Sequence, residues 1–262
     1  MRYLLLLMLV YMIPFGLRGQ ENELNQLDES GKKQGKWVRY YPNGKIRYQG
    51  VFTNDKPIGE FRRYHSDGYL LSLQNFEEDS DTVATVLYFH DGSIAAEGIF
   101  VAKMKQGNWK YYSNYLENHL LMSLNYVDDK REGLSIKYHW NGEVSETLYY
   151  NNDLKHGEWK QYFNDGVLCI SSKYDNGKLN GDFLTWHLDG KQEITGFYKN
   201  DVREGKWSFF NPDGSLKRDI IYYHGIAENQ AELIKEETEY LDRLEKEGGK
   251  IPDPEKTGRI IR

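Results

Sequence analysis

Residues 157–166 read GEWKQYFNDG, and variants of this stretch recur along the chain. The pattern G-x-W-x-x-Y-x-x-[DN]-G begins, with variations, at Gly35, Gly59, Gly107, Gly133, Gly157, Gly181 and Gly205. Most starts are 24 residues apart, which marks an internal repeat. The spacing after Gly59 is twice the 24-residue period, which predicts a further unit at Val83. In this unit Tyr88 and Gly92 occupy the positions that the repeat expects. The sequence therefore predicts eight units over residues 35–225, starting near 35, 59, 83, 107, 133, 157, 181 and 205.

Aromatic residues occupy fixed positions of this repeat. We count the first glycine as position 1 and allow for a two-residue insertion after Tyr112. Positions 6 and 18 are then aromatic in all eight units, position 3 in six, and position 12 is aliphatic in seven. The three aromatic columns hold 22 of the 38 rings of the chain. A chain so rich in rings is not disordered, and we expect the rings to form its core.

Each unit has the sequence of a β-hairpin. Pairs such as Asn43-Gly44 and Asp165-Gly166 predict two-residue type I′ turns, and the flanking segments are rich in strand-forming residues. A second polar turn, such as Asn54-Asp55, leads to the next unit. The predicted fold is all-β, an elongated single-layer antiparallel meander of about eight 24-residue hairpins. Alternation of side chains places positions 3, 12 and 18 on one face and position 6 on the other.

The units resemble MORN-type repeats. The match is to the bacterial variant in which the quoted pattern is followed by another aromatic residue and a second turn. The resemblance covers residues 35–225, with departures at Val83 and at the insertion after Tyr112. It implies a scaffold, a partner dock or a lipid-associated surface. Some bacterial members are labelled antitoxin components, which implies a cytosolic partner.

Residues 1–19 have the pattern of a secretory signal peptide. Arg2 is followed by an apolar run over residues 3–13, and Gly19 is a small residue suited to cleavage. The run is shorter than the roughly 20 residues of a membrane-spanning helix. No cysteine lies near residue 20 for lipid attachment. We therefore expect an exported, periplasmic or extracellular protein that is not an integral membrane protein after cleavage, with residues 20–34 as a polar lead-in.

The pattern changes after Gly225. Asn229 and Glu232 have the spacing of a capping box, and apolar residues then follow at helical spacing up to Gly248. The sequence predicts a helix over 230–247 within a C-terminal segment 226–249, and a flexible tail over 250–262. The helix either caps the last hairpin, as open repeat arrays require, or binds a partner.

The sequence contains no motif of a known catalytic or cofactor site. It has no phosphate-binding glycine loop, no G-x-S-x-G and no H-E-x-x-H. His65, His139 and His187 share position 7, but their units are too far apart to bind one metal ion. Asp165 and Asp189 precede turn glycines, where turn geometry explains them. We predict that the protein is not an enzyme and has no cofactor and no metal.

Charge and cysteine content narrow the function further. The formal net charge of −6 argues against nucleic-acid binding, which usually needs a basic face. Cys169 is the single cysteine, so the chain has no intrachain disulfide. We expect Cys169 to be a small buried residue in a strand.

The aromatic columns are either the core of a one-layer sheet or, in part, a binding surface. We predict a secreted or periplasmic non-catalytic scaffold for protein–protein interaction. A second hypothesis is a module that binds cell-surface glycan or lipid headgroups through exposed rings, and a third is an antitoxin-like component. The candidate interaction surface consists of Trp37, Tyr40, Trp109, Tyr112, Trp159, Tyr162, Trp186 and Trp207.

Overall fold

The computed structural model describes residues 24–248, with side-chain environments up to residue 243. The predicted signal peptide and the predicted tail lie outside the described residues. The chain divides after Glu78 into two compact units. This boundary falls just before Val83, where the repeat lacks its first glycine.

The first unit is an antiparallel meander. Its strands are β1 Gln26–Leu27, β2 Lys33–Tyr40, β3 Ile46–Thr53, β4 Lys56–Tyr64 and β5 Leu70–Phe76. Each strand pairs with the next one along the chain. Strand β1 lies in the predicted lead-in, so the meander begins before Gly35. Its Gln26 carbonyl accepts the indole N–H of Trp37 at 3.2 Å, which ties the lead-in to the first repeat.

The second unit continues the hairpin pattern and ends in a helix. Its strands are β6 Thr82–Tyr88, β7 Ile94–Val101, β8 Met104–Tyr112, β9 Leu120–Val127, β10 Lys130–Tyr138, β11 Val144–Asn151, β12 Leu154–Tyr162, β13 Leu168–Asp175, β14 Lys178–Leu179, β15 Gly181–Trp186, β16 Gln192–Lys199, β17 Val202–Phe210, β18 Leu216–Tyr223 and β19 Ile226–Ala227, and its helix is α1 Gln230–Gly248. Sequence neighbours pair antiparallel, and β13 pairs with both β14 and β15. The predicted fold class is confirmed: an all-β meander of hairpin repeats with a C-terminal helix.

The unit expected at Val83 has the same register as its neighbours. In the β6–β7 hairpin Val83 lies opposite Phe100 and Tyr88 opposite Ile94. In the first hairpin the equivalent pairs join Gly35 to Phe52 and Tyr40 to Ile46. Backbone pairing and the aromatic positions therefore preserve the repeat where its first glycine is missing.

The type I′ turns predicted at the Asn-Gly and Asp-Gly pairs are not observed. At Asn43-Gly44, the Gly44 N–H donates to the Tyr41 carbonyl (3.0 Å), the Tyr41 N–H donates to the Lys45 carbonyl (2.8 Å), and Gly44 has a φ of 81°. This is a three-residue loop, in which a type I turn ends in a left-handed glycine. It is not a type I′ turn. The type I′ geometry occurs at the other turn, where both residues of the Asn152-Asp153 pair have positive φ, 48° and 68°.

Each hairpin also carries a β-bulge. In the first, Arg39 lies opposite Tyr48 and Tyr40 opposite Ile46, so Arg47 has no cross-strand partner. The same shift occurs at the equivalent place in the other hairpins. A bulge bends its strand and increases the local twist. Position 6 therefore lies where every hairpin bends.

Positions 3, 16 and 18 share one face, which we call the ring face. In the first hairpin Trp37 lies opposite Gly50, and Phe52 follows Gly50 by two residues. Gln49 points to the other side because side chains alternate along a strand. The Gln49 amide donates to the Tyr64 hydroxyl at 3.0 Å. Position 6 thus lies on the opposite face, as predicted. Position 12 was predicted on the ring face, but it pairs with position 6 and shares its face, because the bulge shifts the register.

Helix α1 begins after Asn229, whose side-chain amide donates to the Glu232 carboxylate at 3.4 Å. Leu233 packs against a buried cluster at the end of the ring face: Trp207, Ile220, Tyr222 and Ala227. Further along the helix, Ile234 and Leu241 are more than half exposed. The first turn of α1 therefore covers the last repeat. Within residues 24–248, no helix combines the length and apolarity needed to cross a membrane.

Candidate interaction surface

The ring face of the first unit is an interlocked ladder of position-3 and position-18 rings. Trp37, Phe52, Phe61 and Phe76 follow one another at centroid distances of 6.0, 5.7 and 5.9 Å, each pair edge to face. Tyr48 stacks on Phe61 at 5.3 Å. Such pairs add about 0.5–1.5 kcal/mol each beyond the area they bury. These rings therefore act as the core of a one-layer sheet.

The second unit repeats this ladder. Phe183, Tyr198, Trp207 and Tyr222 follow at 5.3, 5.0 and 6.1 Å, again edge to face. Trp109 contacts Phe100 at 4.9 Å. Trp109 and Trp207 are 0% exposed. Neighbouring repeats thus bury each other's largest rings.

In three of the eight repeats, close approach of the rings depends on glycine at position 16: Gly50, Gly98 and Gly196. A Cβ atom added to Gly98 would fall far inside van der Waals contact with the Trp109 ring. The same holds for Gly196 beneath Trp207. In each pair the glycine belongs to one repeat and the ring to the next. The glycine is therefore required for space, because its φ lies outside the left-handed region.

The chain supplies its own cations to these rings. The Lys105 ammonium lies 4.9 Å from the centre of the Trp109 ring, and the Arg203 guanidinium lies 4.5 Å from the centre of Trp207. Both cations stand two residues before a repeat glycine. The same place holds Lys33, Arg131 and Lys155, each within 5.0 Å of a ring. Since these rings already hold a cation, they are poorly placed to bind a quaternary ammonium ligand.

The candidate surface predicted from the sequence needs correction at three residues. Trp37 is 7% exposed, and Trp109 and Trp207 are fully buried. Adjacent rings and the Lys and Arg side chains cover them. The indole N–H of Trp109 donates inward, to the Ile99 carbonyl at 3.1 Å. These three tryptophans are core residues and offer no contact surface.

The other five candidates keep some exposure. Tyr40 is 57% exposed. Tyr112, Trp159, Tyr162 and Trp186 are half-buried. The structure thus does not bring the eight candidates together as one surface, because position 3 and position 6 lie on opposite faces.

Trp159 belongs to a polar network on the ring face. Its indole N–H donates to the Glu146 carboxylate at 3.2 Å. Glu146 also accepts from Gln161 at 2.9 Å and pairs with Lys137 at 2.8 Å. Burial raises the pKa of Glu146, but these donors outweigh it and leave the pKa below its ordinary value. The network stabilises a half-buried carboxylate instead of preparing an acid for proton transfer.

Tyr112 is held in a network on the opposite face. Its hydroxyl donates to Glu97 at 2.7 Å, and Lys110 pairs with the same carboxylate at 3.1 Å. Burial, followed by the nearby carboxylate, raises the pKa of Tyr112 to about 12. The hydrogen bond from Tyr112 in turn lowers the pKa of Glu97. Tyr112 therefore stays protonated and serves as a structural donor.

Two shallow grooves lie beside position-16 glycines on the opposite face. The groove in the first unit has a volume of about 610 Å³, and its lining includes Val51 and Arg62. The groove in the second unit is about 270 Å³ and is lined by Ile99 and Lys110 among others. Open grooves with mixed apolar and charged linings differ from the enclosed pockets that hold small ligands.

The position-7 histidines have structural roles. His139 Nε2 lies 2.7 Å from the Tyr162 carbonyl oxygen, and His187 Nε2 lies 3.4 Å from that of Phe210. Each histidine thus bridges one turn to the next repeat. Over residues 24–248, the structure shows no group of three or more His, Cys, Asp or Glu placed to bind a metal ion.

The turn aspartates and the cysteine also have local explanations. Asp165 and Asp189 each accept the backbone N–H two residues further on, both at 3.1 Å. Such hydrogen bonds are typical of turn-forming aspartates. Burial raises the pKa of the Cys169 thiol, which disfavours the reactive thiolate.

Sequence reasoning missed two exposed rings. Tyr115 is 90% exposed and Trp140 is 71% exposed, the highest values among the large hydrophobic side chains of the described residues. Both lie in turns between strands of the second unit, outside the aromatic columns. The signal was present as a departure from the repeat. Tyr115 and Trp140 are apolar rings at turn positions where the other repeats carry a polar residue or proline, except for Leu188 at the position of Trp140.

A model of the MORN repeat variant family matches residues 33–54, 155–176 and 203–224. The chain contains MORN-type repeats. Each matched MORN segment begins at one of the cations that lie over the rings: Lys33, Lys155 and Arg203. The resemblance stated from the sequence is confirmed, and the intervening units share the period and register of the matched ones.

One similar solved structure is the "Crystal Structure of TcdB2-TccC3-TEV", which shares 12% sequence identity with this MORN-type chain. The similarity covers 74% of this chain and 11% of that one, with a TM-score of 0.20. Our chain therefore spans a small part of that protein, and so distant a likeness says nothing about function. No curated protein matches the chain.

Proposed function

We propose that this protein is a non-catalytic MORN-type scaffold that is exported and binds another protein. One observation supports the proposal: the residues that the repeat specifies are used by the fold itself. The rings cover each other, the Lys and Arg side chains cover the rings, and the histidines and aspartates hold the turns. The other side chains that are exposed to solvent project from a hydrogen-bonded sheet.

A rigid sheet is well suited to binding another protein. Its strands are held by backbone hydrogen bonds, so the backbone of its turns is already ordered before a partner arrives. Less conformational freedom is then lost on association, which favours affinity. The proposal that this occurs outside the cytoplasm is based on the signal-peptide pattern of residues 1–19.

Export is tested by fractionating cells that express the full chain and determining the N-terminal residue of the accumulated protein. We expect the protein outside the cytoplasm, with a new N-terminus close to residue 20. Full-length protein confined to the cytoplasm would refute export and would instead favour an antitoxin-like role.

Protein binding is tested by cross-linking in intact cells that produce the protein, followed by identification of the cross-linked peptides. We expect one defined protein, cross-linked repeatedly through the same few positions of one of the two compact units. Cross-links spread over many unrelated proteins, or turnover of a substrate by the purified protein, would contradict the scaffold. Matched cells producing a destabilised Trp207→Ala variant provide the control for non-specific capture.

A further inference from the structure

Two neighbouring turns of the second unit each carry a strongly exposed aromatic ring. The turn between β8 and β9 contains the two-residue insertion and carries Tyr115 and Leu116. The turn between β10 and β11 carries Trp140. Strands β9 and β10 pair with each other, so both turns lie on the same edge of the sheet. A hairpin folds well with polar turn residues, so the fold itself does not require these apolar side chains.

The first turn is held rigidly. Ser113 is buried, and its hydroxyl oxygen accepts the backbone N–H of Tyr115 at 3.0 Å and that of Leu116 at 3.1 Å. The His119 N–H donates to the Leu116 carbonyl at 3.2 Å. Tyr115 is nevertheless 90% exposed. The insertion therefore presents a tyrosine ring from an ordered backbone.

The second turn is held equally well. Its His139 N–H donates to the Glu143 carbonyl at 2.7 Å, and the His139 ring reaches the Tyr162 carbonyl of the next repeat. Trp140, next to this anchored histidine, is 71% exposed. Turns on one edge that are two strands apart lie about 10 Å from each other. Tyr115 and Trp140 therefore lie in neighbouring turns on one edge.

The charge around these rings is negative. Residues 113–119 and 139–143 include Glu117 and Glu143 and contain no Lys or Arg. The face of an aromatic ring carries partial negative charge and attracts cations, Trp most strongly. Ring faces and carboxylates therefore favour the same kind of ligand. On the ring face this chain supplies its own cations, but the sequence of these two turns supplies none.

We propose that Tyr115 and Trp140 form a docking site for a basic segment of a protein partner, with Arg or Lys side chains placed over the two rings. The proposal rests on the scaffold function given above. Arginine is favoured because its planar guanidinium stacks on aromatic rings. Leu116, 48% exposed beside Tyr115, adds apolar area of the kind that surrounds interface hot spots.

The test is a binding titration of the purified protein with a peptide of alternating Arg and Gly, followed by tryptophan fluorescence. A peptide with Glu in place of Arg is the charge control. The test variant combines Tyr115→Ala with Trp140→Ala. The matched control combines Tyr223→Ala with Tyr240→Ala, which removes two other exposed tyrosines, 58% and 54% exposed. Because the test variant loses Trp140, its affinity is measured by calorimetry as well.

We expect the Arg peptide to bind and the Glu peptide not to bind. The test variant should lose at least fivefold in affinity, whereas the control variant should bind as the native protein does. Equal affinity of native protein and test variant would overturn the proposal, since net charge alone would then explain binding. Ring-dependent binding of a chito-oligosaccharide or of phosphatidylcholine vesicles, without peptide binding, would also overturn it.

The same variant separates this proposal from the proposed function. If cells producing the test variant still cross-link the native partner, the scaffold function stands and the docking site is refuted. If the native protein binds the Arg peptide but cross-links no partner in cells, the scaffold function fails instead. Circular dichroism and thermal unfolding of the test variant should match those of the native protein, because both substituted rings are exposed.

Discussion

Trp109 and Trp140 are both tryptophans of the second compact unit, and their environments are opposite. Trp109 is 0% exposed and Trp140 is 71% exposed. Trp109 lies in strand β8 at position 3 of its repeat, above Gly98 and below the Lys105 ammonium. Trp140 lies in a turn, where the chain does not cover it. The difference teaches that position within the repeat, and not residue type, separates the core from the surface of this sheet.

The largest expected effect comes from removing the buried ring. We expect Trp109→Ala to lower the free energy of unfolding by about 3–5 kcal/mol, because it deletes a fully buried side chain and leaves a cavity. Urea unfolding followed by circular dichroism measures this. If the loss stayed below about 1 kcal/mol, Trp109 would not be the core residue described above.

The next effect concerns the space beneath the ring. We expect Gly98→Ala to destabilise by about 1–3 kcal/mol, because the new methyl group overlaps the Trp109 ring and forces backbone or side chain to move. Ser172→Ala is the matched control, since position 16 of that repeat already carries a Cβ atom. A native-like unfolding midpoint for Gly98→Ala in the same urea titration would contradict the prediction, because it would show that the Trp109 ring leaves space for a methyl group.

A third prediction concerns Trp159, whose indole N–H is bonded to Glu146. We expect Glu146→Gln to lose about 1 kcal/mol at neutral pH, because a charged acceptor is replaced by a neutral one. The pKa of Glu146 is lowered in the folded protein. Its stabilising contribution is therefore complete above the unfolded pKa and is lost as the pH falls through the folded pKa.

Unfolding midpoints of native protein and Glu146→Gln should thus differ at pH 7 and converge in acid. The exposed Glu158→Gln substitution is the control and should change little, since an exposed ion pair contributes little. A gap between native protein and Glu146→Gln that widens below pH 4 would contradict this assignment.

The smallest effect is expected at the exposed ring. Trp140→Ala should change the free energy of unfolding by less than about 0.5 kcal/mol, as is usual for surface substitutions. It should also remove the tryptophan fluorescence that acrylamide quenches most readily, because Trp140 is accessible to solvent. If Trp140→Ala loses the readily quenched fluorescence but not stability, Trp140 is a surface residue, in contrast to Trp109. A clear loss of stability would contradict this assignment.

The repeat made the hairpins predictable because its period and its columns act together. Val83 lacks the first glycine of its repeat, yet its β-hairpin was predicted and observed at the expected register. The turn types were not predictable from dipeptides alone. Asn43-Gly44 fits both a type I′ turn and a type I turn followed by a left-handed glycine, and the bulge at Arg47 accompanies the second form.

The interaction surface was harder to predict than the fold. Trp37, Trp109 and Trp207 were candidates because large rings are often exposed at binding sites, but a pattern in one strand does not show what covers a side chain. The Trp109 ring, for example, packs on Gly98 of the previous repeat and lies under Lys105, the cation two residues before the repeat glycine. Tyr115 and Trp140 lie outside the columns and were therefore overlooked.

The central claim is that glycine at position 16 makes room for the ring of the next repeat. A double-mutant cycle of Gly98→Ala with Trp109→Thr tests it most directly, since Thr85 shows that position 3 accepts threonine. With Trp109 present, Gly98→Ala should be destabilising by about 1–3 kcal/mol. In the Trp109→Thr background, the same change should be neutral or stabilising by up to about 1 kcal/mol, because alanine restricts the unfolded chain. An equal loss of unfolding free energy in both backgrounds would contradict the account.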